Sequence, residues 1–203
     1  MGVGSMLICI TNRKLCPDDF LGRIKRLAQG QPQAIMLREK DLSPAEYKRI
    51  AESVRSICRN YQVPLIINKF WEAAAELECE VIHLSMPDLR EYRNKPKGTP
   101  YIGASVHSVS EAEEAQRLGA AYLIAGHIFP TESKKGIPPR GLSFLRDVCT
   151  AVDIPVYAIG GITADKVKDV LEAGACGVCI MSEAMVCAQP EELISRFRAI
   201  IGS

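Results

Sequence analysis

The segment 155–182, PVYAIGGITADKVKDVLEAGACGVCIMS, contains one complete repeat of the pattern that decides the fold. An apolar run at Pro155–Ile159 is followed by two glycines, by an amphipathic stretch and by a second apolar run that begins at Gly177. Short apolar runs bounded by turn-forming residues are typical of buried strands, and the stretch between them has helical spacing. The segment therefore predicts a strand, a crossover helix and a second strand parallel to the first.

The same alternation runs through the rest of the chain. Apolar runs predict strands at Leu7–Ile10, Ala34–Leu37, Pro64–Ile67, Val81–Leu84, Tyr101–Val106, Tyr122–Ala125, Pro155–Ile159 and Gly177–Met181. Helices are predicted at Pro44–Asn60 after Ser43, Glu111–Leu118 after Ser110, Ala164–Glu172 after Thr163 and Pro190–Ile201, and we expect Ser182 to open the last helix.

Eight strand–helix repeats predict an α/β fold, a compact single-domain (β/α)8 TIM barrel. The alternative is an open doubly wound sheet. Such a sheet usually has a glycine-rich loop after its first strand, where this chain has Thr11-Asn-Arg-Lys14. We expect residues 6–203 to form the barrel and residues 1–5 to be an extension that precedes a native start at Met6.

Composition and charge exclude several classes of protein. Of the 203 residues, 47% are hydrophobic and 24% are charged, as in an ordinary globular domain. The 25 Lys and Arg residues nearly balance the 24 Asp and Glu residues, so the chain has no general positive field for nucleic acid or a membrane surface. No run approaches the roughly 18 apolar residues of a transmembrane helix. We therefore expect neither a nucleic acid nor a membrane as a partner.

The eight cysteines lie mostly in apolar segments, which predicts buried thiols in a reducing cytoplasm. Cys176 and Cys179 form a C-x-x-C spacing, but the spacing overlaps the predicted strand Gly177–Met181. Because alternate residues of a strand point to opposite faces, the two sulfur atoms should diverge. We therefore expect the pair to have no redox or metal-binding role.

Polar and basic residues recur at the carboxyl ends of the predicted strands, where a barrel of this kind carries its site. We expect a substrate-binding set of Arg38, Lys40, Asn68, Ser105, His107, Thr131, Ser133, Lys134, Gly160, Gly161 and Ser182.

The two glycines indicate a phosphate site. Gly160 and Gly161 leave the seventh strand and lead into a helix, where backbone N–H groups can approach an anion closely. Ser182 follows the eighth strand, and the loops after strands seven and eight commonly bind phosphate in this fold. Lys134 and Lys135 lie in a long loop after the sixth strand, and either could cover the anion.

His127 is the candidate catalytic residue. It follows Gly126 at the end of the sixth strand, and an imidazole can accept or donate a proton near neutral pH.

Several motifs resemble those of the thiamine phosphate synthase superfamily in order and spacing, over nearly the whole chain from Met6. They are Leu37-Arg-Glu-Lys-Asp41, Gly103-Ala-Ser-Val-His-Ser108, Gly126-His-Ile-Phe-Pro-Thr131, Ser133-Lys134, Ala158-Ile-Gly-Gly-Ile162 and Val178-Cys-Ile-Met-Ser182. The resemblance implies one of two activities. The synthase joins hydroxymethylpyrimidine pyrophosphate to a thiazole phosphate and needs Mg²⁺, whereas the thiazole tautomerase aromatises a thiazole phosphate carboxylate by moving a proton.

Departures from the synthase pattern favour the tautomerase branch. The synthase has Asn-Asp-Arg after strand three, with the Asp as a metal ligand, and this chain has Asn68-Lys69-Phe70. Met36 stands where the synthase has Gln, and Asp88 alone remains of the acidic residues after strand four. The Gly126-His127 pair matches the tautomerase, whose active-site histidine corresponds to His127.

The resemblance thus predicts a thiazole tautomerase, an isomerase of thiamine biosynthesis, with His127 moving the proton and a phosphorylated thiazole as the ligand. No cofactor or metal is expected, and Asp88 would bind Mg²⁺ only if the chain were a synthase. The alternatives are a Mg²⁺-dependent thiamine phosphate synthase and a non-catalytic, regulatory protein that binds thiazole phosphate. Assembly into a homo-oligomer is also compatible with the resemblance.

Overall fold

The eight strands form a closed parallel barrel in which each strand pairs with its neighbours in sequence and β1 pairs with β8. The computed structural model describes residues 6–92 and 101–202. The strands are β1 Met6–Ile10, β2 Ala34–Leu37, β3 Leu65–Asn68, β4 Val81–Leu84, β5 Tyr101–Val106, β6 Tyr122–Gly126, β7 Val156–Ile159 and β8 Gly177–Ile180. The single-domain (β/α)8 TIM barrel is therefore confirmed, and the open doubly wound sheet is wrong. The extension predicted at residues 1–5 lies outside the described residues.

Helices cover the outside of the barrel. Those in the described part of the chain are α1 Phe20–Gln29, α2 Pro44–Asn60, α3 Trp71–Glu76, α4 Met86–Tyr92, α5 Val109–Arg117, α6 Gly141–Ala151, α7 Val167–Glu172, α8 Ser182–Val186 and α9 Pro190–Ile201. Short 3-10 turns occur at Arg13–Leu15, Glu132–Lys134 and Ala164–Lys166. None of these described helices has the length and apolar character needed to cross a membrane.

The start of α2 has the predicted cap. Ser43 accepts a hydrogen bond from the Glu46 N–H, and the Glu46 carboxylate accepts one from the Ser43 N–H at 2.9 Å, so the two residues form a capping box. Proline at the first helical position leaves no amide donor unpaired there. This reciprocal pairing explains why the helix begins where its sequence predicts.

Three predictions about helix starts are wrong. Ser108 rather than Ser110 caps α5, because its side chain accepts from the Glu111 N–H. The predicted helix Ala164–Glu172 begins as a 3-10 turn and becomes α7 only at Val167. Ser182 opens the separate short helix α8, not the last helix.

Alternate strand residues fill the inside of the barrel. This inner cluster consists of Ile8, Ile10, Ala34, Met36, Ile66, Val81, Tyr122, Ile124, Tyr157 and Cys179, with Met6, Ile159 and Met181 packed against it. The other strand residues face outward and join a larger cluster with the helices. This alternation follows from the two-residue period of a strand. Cys179 is therefore buried, whereas Cys176 is exposed, contrary to its expected burial; all eight cysteines are free.

A large side chain next to a glycine illustrates how tightly the interior is filled. Gly103 and Tyr122 are register partners on β5 and β6, and a Cβ on Gly103 would overlap the Tyr122 ring. The barrel interior accommodates the phenol because the neighbouring position lacks a side chain.

We expect Gly103→Ala to lower the free energy of unfolding by about 1–3 kcal/mol, the usual cost of overpacking. Combining it with Tyr122→Leu should cost less than the sum of the two single changes, because leucine lacks the ring atoms that the new methyl would overlap. Urea unfolding of the four proteins measures both effects. Full additivity would contradict this explanation.

Candidate functional site

The mouth of the barrel carries two cations after β2 whose neighbouring carboxylate is already paired. Glu39 is buried, its carboxylate accepts a hydrogen bond from Thr11 Oγ1 at 2.7 Å, and it lies 3.2 Å from Arg13 Nη1. Asp41 also binds Arg13, whose guanidinium holds the pKa of that carboxyl well below its usual range. The acids of this segment are thus engaged with Arg13, and no carboxylate in the described part of the chain lies within ion-pair distance of Arg38.

Arg38 reaches across the mouth towards β8. Its Nη1 lies 3.9 Å from the Met181 sulfur, and its side chain is half-buried. Burial lowers the pKa of Arg38. Lys40 is more exposed, and its pKa is lowered by partial burial and then by the charge of Arg38. The predicted placement of both side chains at the mouth is therefore consistent with the geometry.

The end of β3 turns sharply. Asn68 is buried and its Nδ2 donates to the His83 carbonyl at 3.0 Å, so the donor end of this predicted binding residue holds β4. Lys69 follows in the left-handed region with φ +71°, and its N–H donates to the same carbonyl at 3.0 Å. Such a backbone is uncommon for a residue other than glycine, asparagine or aspartate. The turn removes Lys69 from the alternation of the strand.

A buried polar network lies beneath the mouth. The His83 ring bridges the Tyr122 hydroxyl, 3.3 Å from Nδ1, and the Ser105 hydroxyl, 2.8 Å from Nε2. Burial, helped by the nearby charges of Arg38 and Lys40, lowers the pKa of His83 to about 3. His83 is therefore neutral near pH 7, and the predicted binding residue Ser105 is held by it.

His107 lies apart from this network. Its side chain is about half exposed, with Nδ1 3.4 Å from Glu111 Oε2, and its N–H donates to the same carboxylate at 2.6 Å. The structure pairs His107 with the first turn of α5 rather than with the other predicted site residues.

The loop between β6 and α6 packs over His127. The imidazole is 8% exposed, its Nε2 lies 3.3 Å from the Ile137 carbonyl, and the Gly126–His127 peptide is cis. The same loop carries Thr131, half-buried, and the exposed Ser133 and Lys134. His127 is therefore buried, with its ring against its own loop.

The β6–α6 loop also joins the loop after β7. The Phe129 N–H donates to the Gly160 carbonyl at 3.0 Å, and a Cβ on Gly160 or Gly161 would overlap His127 or the Pro130 carbonyl, respectively. The two glycines have φ of +104° and +63°. Their identity is thus required by close packing of two loops as well as by backbone conformation.

Two further contacts connect this region. The Ser133 hydroxyl lies 3.2 Å from the Ser182 hydroxyl, which links the β6–α6 loop to the start of α8. Lys166 donates to the Gly161 carbonyl at 3.0 Å, and its ammonium lies 4.9 Å from the Phe129 ring centre. The predicted residues Ser133, Gly161 and Ser182 therefore belong to one group.

The donor set at the mouth does not suit Mg²⁺, which prefers carboxylate oxygens. Asp88 is close enough to affect the pKa of Lys40, and its Oδ2 accepts a hydrogen bond from the Ser85 hydroxyl at 2.5 Å. The other charges acting on Lys40 include the cations Arg38 and Lys134. Among the described residues, no three His, Cys, Asp or Glu side chains are grouped as metal ligands.

The model of the family described as thiamine monophosphate synthase matches residues 7–184. The chain belongs to this family. The thiamine-phosphate synthase of Desulfitobacterium hafniense is 35% identical over 206 aligned residues, covering 98% of this chain and 100% of the relative. That of Pyrococcus abyssi is 33% identical over 96% of this chain and 94% of the relative. The solved structure of thiamine phosphate pyrophosphorylase from Pyrococcus furiosus has a TM-score of 0.83 at 29% identity, over 97% of this chain and 95% of that one.

The tautomerase prediction is wrong. The curated relatives that match this chain from end to end are named thiamine-phosphate synthase. The similar solved structure is named thiamine phosphate pyrophosphorylase. The prediction relied on a few loop positions, chiefly Lys69 and the Gly126-His127 pair. The enclosure of His127 beneath its loop gives a structural reason for a histidine there without proton transfer.

Sequence reasoning missed Lys166 and the anchoring role of Glu39. Lys166 donates to the backbone carbonyl of Gly161. Glu39 accepts a hydrogen bond from Thr11, which is distant in sequence. The alternation Arg38, Glu39, Lys40 contains a signal for Glu39, because the middle residue of such a triplet points away from the two cations. No comparable pattern identifies Lys166.

The neutral state of His83 predicts a pH dependence of stability. Folding lowers the pKa of His83 from about 6.5 to about 3. As the pH falls below 6.5, His83 is therefore protonated in the unfolded chain before it is protonated in the folded one. Protonation favours the unfolded chain, so the folded protein is most stable above pH 6.5 and loses stability as the pH falls. His83 alone should lower the free energy of unfolding by about 1–2 kcal/mol between pH 6.5 and pH 5. Urea unfolding at both values, compared with His83→Gln, isolates this share, since the variant should lack it. An unchanged pH dependence in His83→Gln would refute the assignment.

Proposed function

We propose that this protein is a thiamine-phosphate synthase, a transferase that joins hydroxymethylpyrimidine pyrophosphate to a thiazole phosphate. The observation that carries the proposal is the end-to-end similarity to two synthases at 33% and 35% identity. The site supports it because two regions suited to anions lie at one mouth: the cations after β2 and the glycine loop after β7.

The proposed reaction exchanges one bond for another. The thiazole ring nitrogen donates its lone pair to the methylene carbon of the pyrimidine, and the bond from this carbon to the pyrophosphate oxygen breaks. Pyrophosphate leaves with the electron pair of that bond, and the thiazole becomes a thiazolium cation. No proton is transferred, so the reaction requires no general base. The main task of the protein is then to align two anionic substrates and to stabilise the charge on the leaving group.

The thiazole phosphate is assigned to the loops after β6, β7 and β8. Gly160 and Gly161 leave β7 with φ of +104° and +63°, in a loop that packs against the β6–α6 loop, and Ser182 supplies a hydroxyl next to Ser133. Lys134, together with Thr131, lies on the loop that packs against the glycines. Because the charge of Lys134 also acts on Lys40, this lysine is assigned a place between the two ligands, where it serves both anions. These groups offer a positive charge and neutral donors, which suit a phosphate monoester.

The pyrimidine pyrophosphate is assigned to the side of the mouth formed by β2, β3 and β5. Arg38 and Lys40 provide charge, and Asn68 and Ser105 line the same side. Each of the latter two is fixed by a hydrogen bond to His83, through its carbonyl or its ring. Fixed polar groups orient a ligand with little loss of side-chain freedom. His107, paired with Glu111, is the member of the predicted set farthest from this role.

His127 is proposed as a positioning residue. Its contact with the Ile137 carbonyl supports the β6–α6 loop from below, and this loop carries Lys134. Mg²⁺, which the family resemblance implies for the synthase, is not supported by the donor set around Asp88, and no step of the proposed reaction is assigned to it.

Purified protein incubated with both substrates, with and without Mg²⁺, tests the proposal. We expect thiamine phosphate and pyrophosphate to form in equal amounts, measured by chromatography and by a phosphate-release assay after pyrophosphatase. Binding of thiazole phosphate with no product under either condition would refute the synthase function and favour a non-catalytic role.

The glycine loop can be tested with a matched pair of variants. Gly161→Ala should raise the KM for thiazole phosphate at least about tenfold, since its methyl would overlap the Pro130 carbonyl and displace the loop. Gly119→Ala is the control, because Gly119 also has a positive φ, of +91°, but a Cβ there meets nothing within 4 Å. Steady-state kinetics should show a smaller change in the control. Equal changes in the two variants would contradict the assignment of the phosphate to this loop.

A further inference from the structure

The charges around Lys40 come from three successive strand ends and from the β6–α6 loop. Arg38 and Lys40 follow β2, Lys69 follows β3, and Asp88 lies in the first turn of α4 after β4. The register pairs Leu37 of β2 with Ile67 of β3, and Asn68 with His83 of β4. The residues that follow therefore emerge side by side at one rim.

Their mutual influence is visible in Lys40. After partial burial, the charges of Arg38 and Lys134 contribute most to lowering the pKa of Lys40. Lys69 adds a smaller effect in the same direction, and Asp88 opposes it. Three cations and one carboxylate thus act on Lys40 across the mouth. We call Arg38, Lys40, Lys69 and Lys134 the rim cations.

The rim cations have no carboxylate partner within ion-pair distance among the residues that the structure describes. The nearby acids Glu39 and Asp41 are held by Arg13, and Asp88 is hydrogen-bonded to Ser85. A group of like charges that repel one another is destabilising unless an anion neutralises it. The arrangement therefore fits a ligand with several negative charges.

The backbone at Lys69 adds an independent observation. This lysine has φ +71°, a conformation that costs energy for a long side chain, and its backbone is held by the hydrogen bond from its N–H to the His83 carbonyl. Its ammonium lies 5.7 Å from the Phe70 ring centre and forms no ion pair with any residue that the structure describes. The structure thus keeps a strained residue directly after β3 with its charge at the rim.

We propose that the rim cations bind the pyrophosphate group directly and that Lys69 supplies there the positive charge for which a synthase would otherwise use a divalent metal. The inference rests on the proposed synthase function, which provides a pyrophosphate group as the leaving group. A metal ion would have to enter a site with four cations and one occupied carboxylate, whereas an ammonium on the protein needs no further ligands. The ammonium stabilises the negative charge that develops on the departing oxygen, and no proton or electron is exchanged.

Calorimetric binding of inorganic pyrophosphate tests the inference without turnover. In the presence of EDTA we expect saturable binding to the full chain. Added Mg²⁺ should weaken it, because Mg²⁺ neutralises part of the pyrophosphate charge in solution. Lys69→Asn, which keeps a residue that tolerates positive φ, should weaken binding roughly tenfold to a hundredfold, the effect of one charge-assisted contact. Lys69→Arg should retain most of the affinity.

Lys168→Asn on α7 is the control for loss of one exposed lysine, and it should bind like the parent. Thermal unfolding confirms that each variant is folded. Binding that requires Mg²⁺, or that is the same in Lys69→Asn and in the parent, would overturn the inference. Product formation is measured separately. A protein that binds pyrophosphate without metal but makes no thiamine phosphate would refute the synthase function and leave the rim cations as a pyrophosphate site.

Discussion

Closure of the barrel between β1 and β8 is the constraint on which the rest of the structure depends. The two strands pair in parallel from Met6 with Gly177 to Cys9 with Ile180, and the Met6 N–H donates to the Cys176 carbonyl at 2.9 Å. Once the ring is closed, all eight strands end at the same mouth. Residues from opposite ends of the sequence then meet, as Arg38 and Met181 do. The pairing of the strands therefore determines where the site lies in this fold, and the side chains determine its chemistry.

The distribution of charge at the mouth qualifies the near-neutral composition. A net charge of +1 excludes a general positive field, but it does not describe the local field. After β2, Glu39 and Asp41 pair with Arg13, while Arg38 and Lys40 form no ion pair with the described residues. A balanced protein can therefore present a concentrated cationic site to small anions.

Most of the fold and part of the site could be predicted from the sequence. The apolar runs identified all eight strands because each is buried on both faces and bounded by turn residues, and their ends differ from the structure by about one residue at most. The roles of His127, Asn68 and His107 could not be read in this way, since their partners are a loop carbonyl, a strand carbonyl and a helix carboxylate. Contacts of this kind produce no periodic pattern in the sequence. The tautomerase prediction is wrong for a related reason, since a few loop positions carry less information than similarity along the whole chain.

The loop after β6 packs against the glycines after β7, and this packing limits the transfer of loops between homologous barrels. A side chain at Gly160 would collide with His127, and one at Gly161 with the Pro130 carbonyl. Lys166 contacts both loops, because its ammonium donates to the Gly161 carbonyl and lies over the Phe129 ring. The two loops therefore depend on each other structurally. A loop graft into another barrel would need to transfer both loops together.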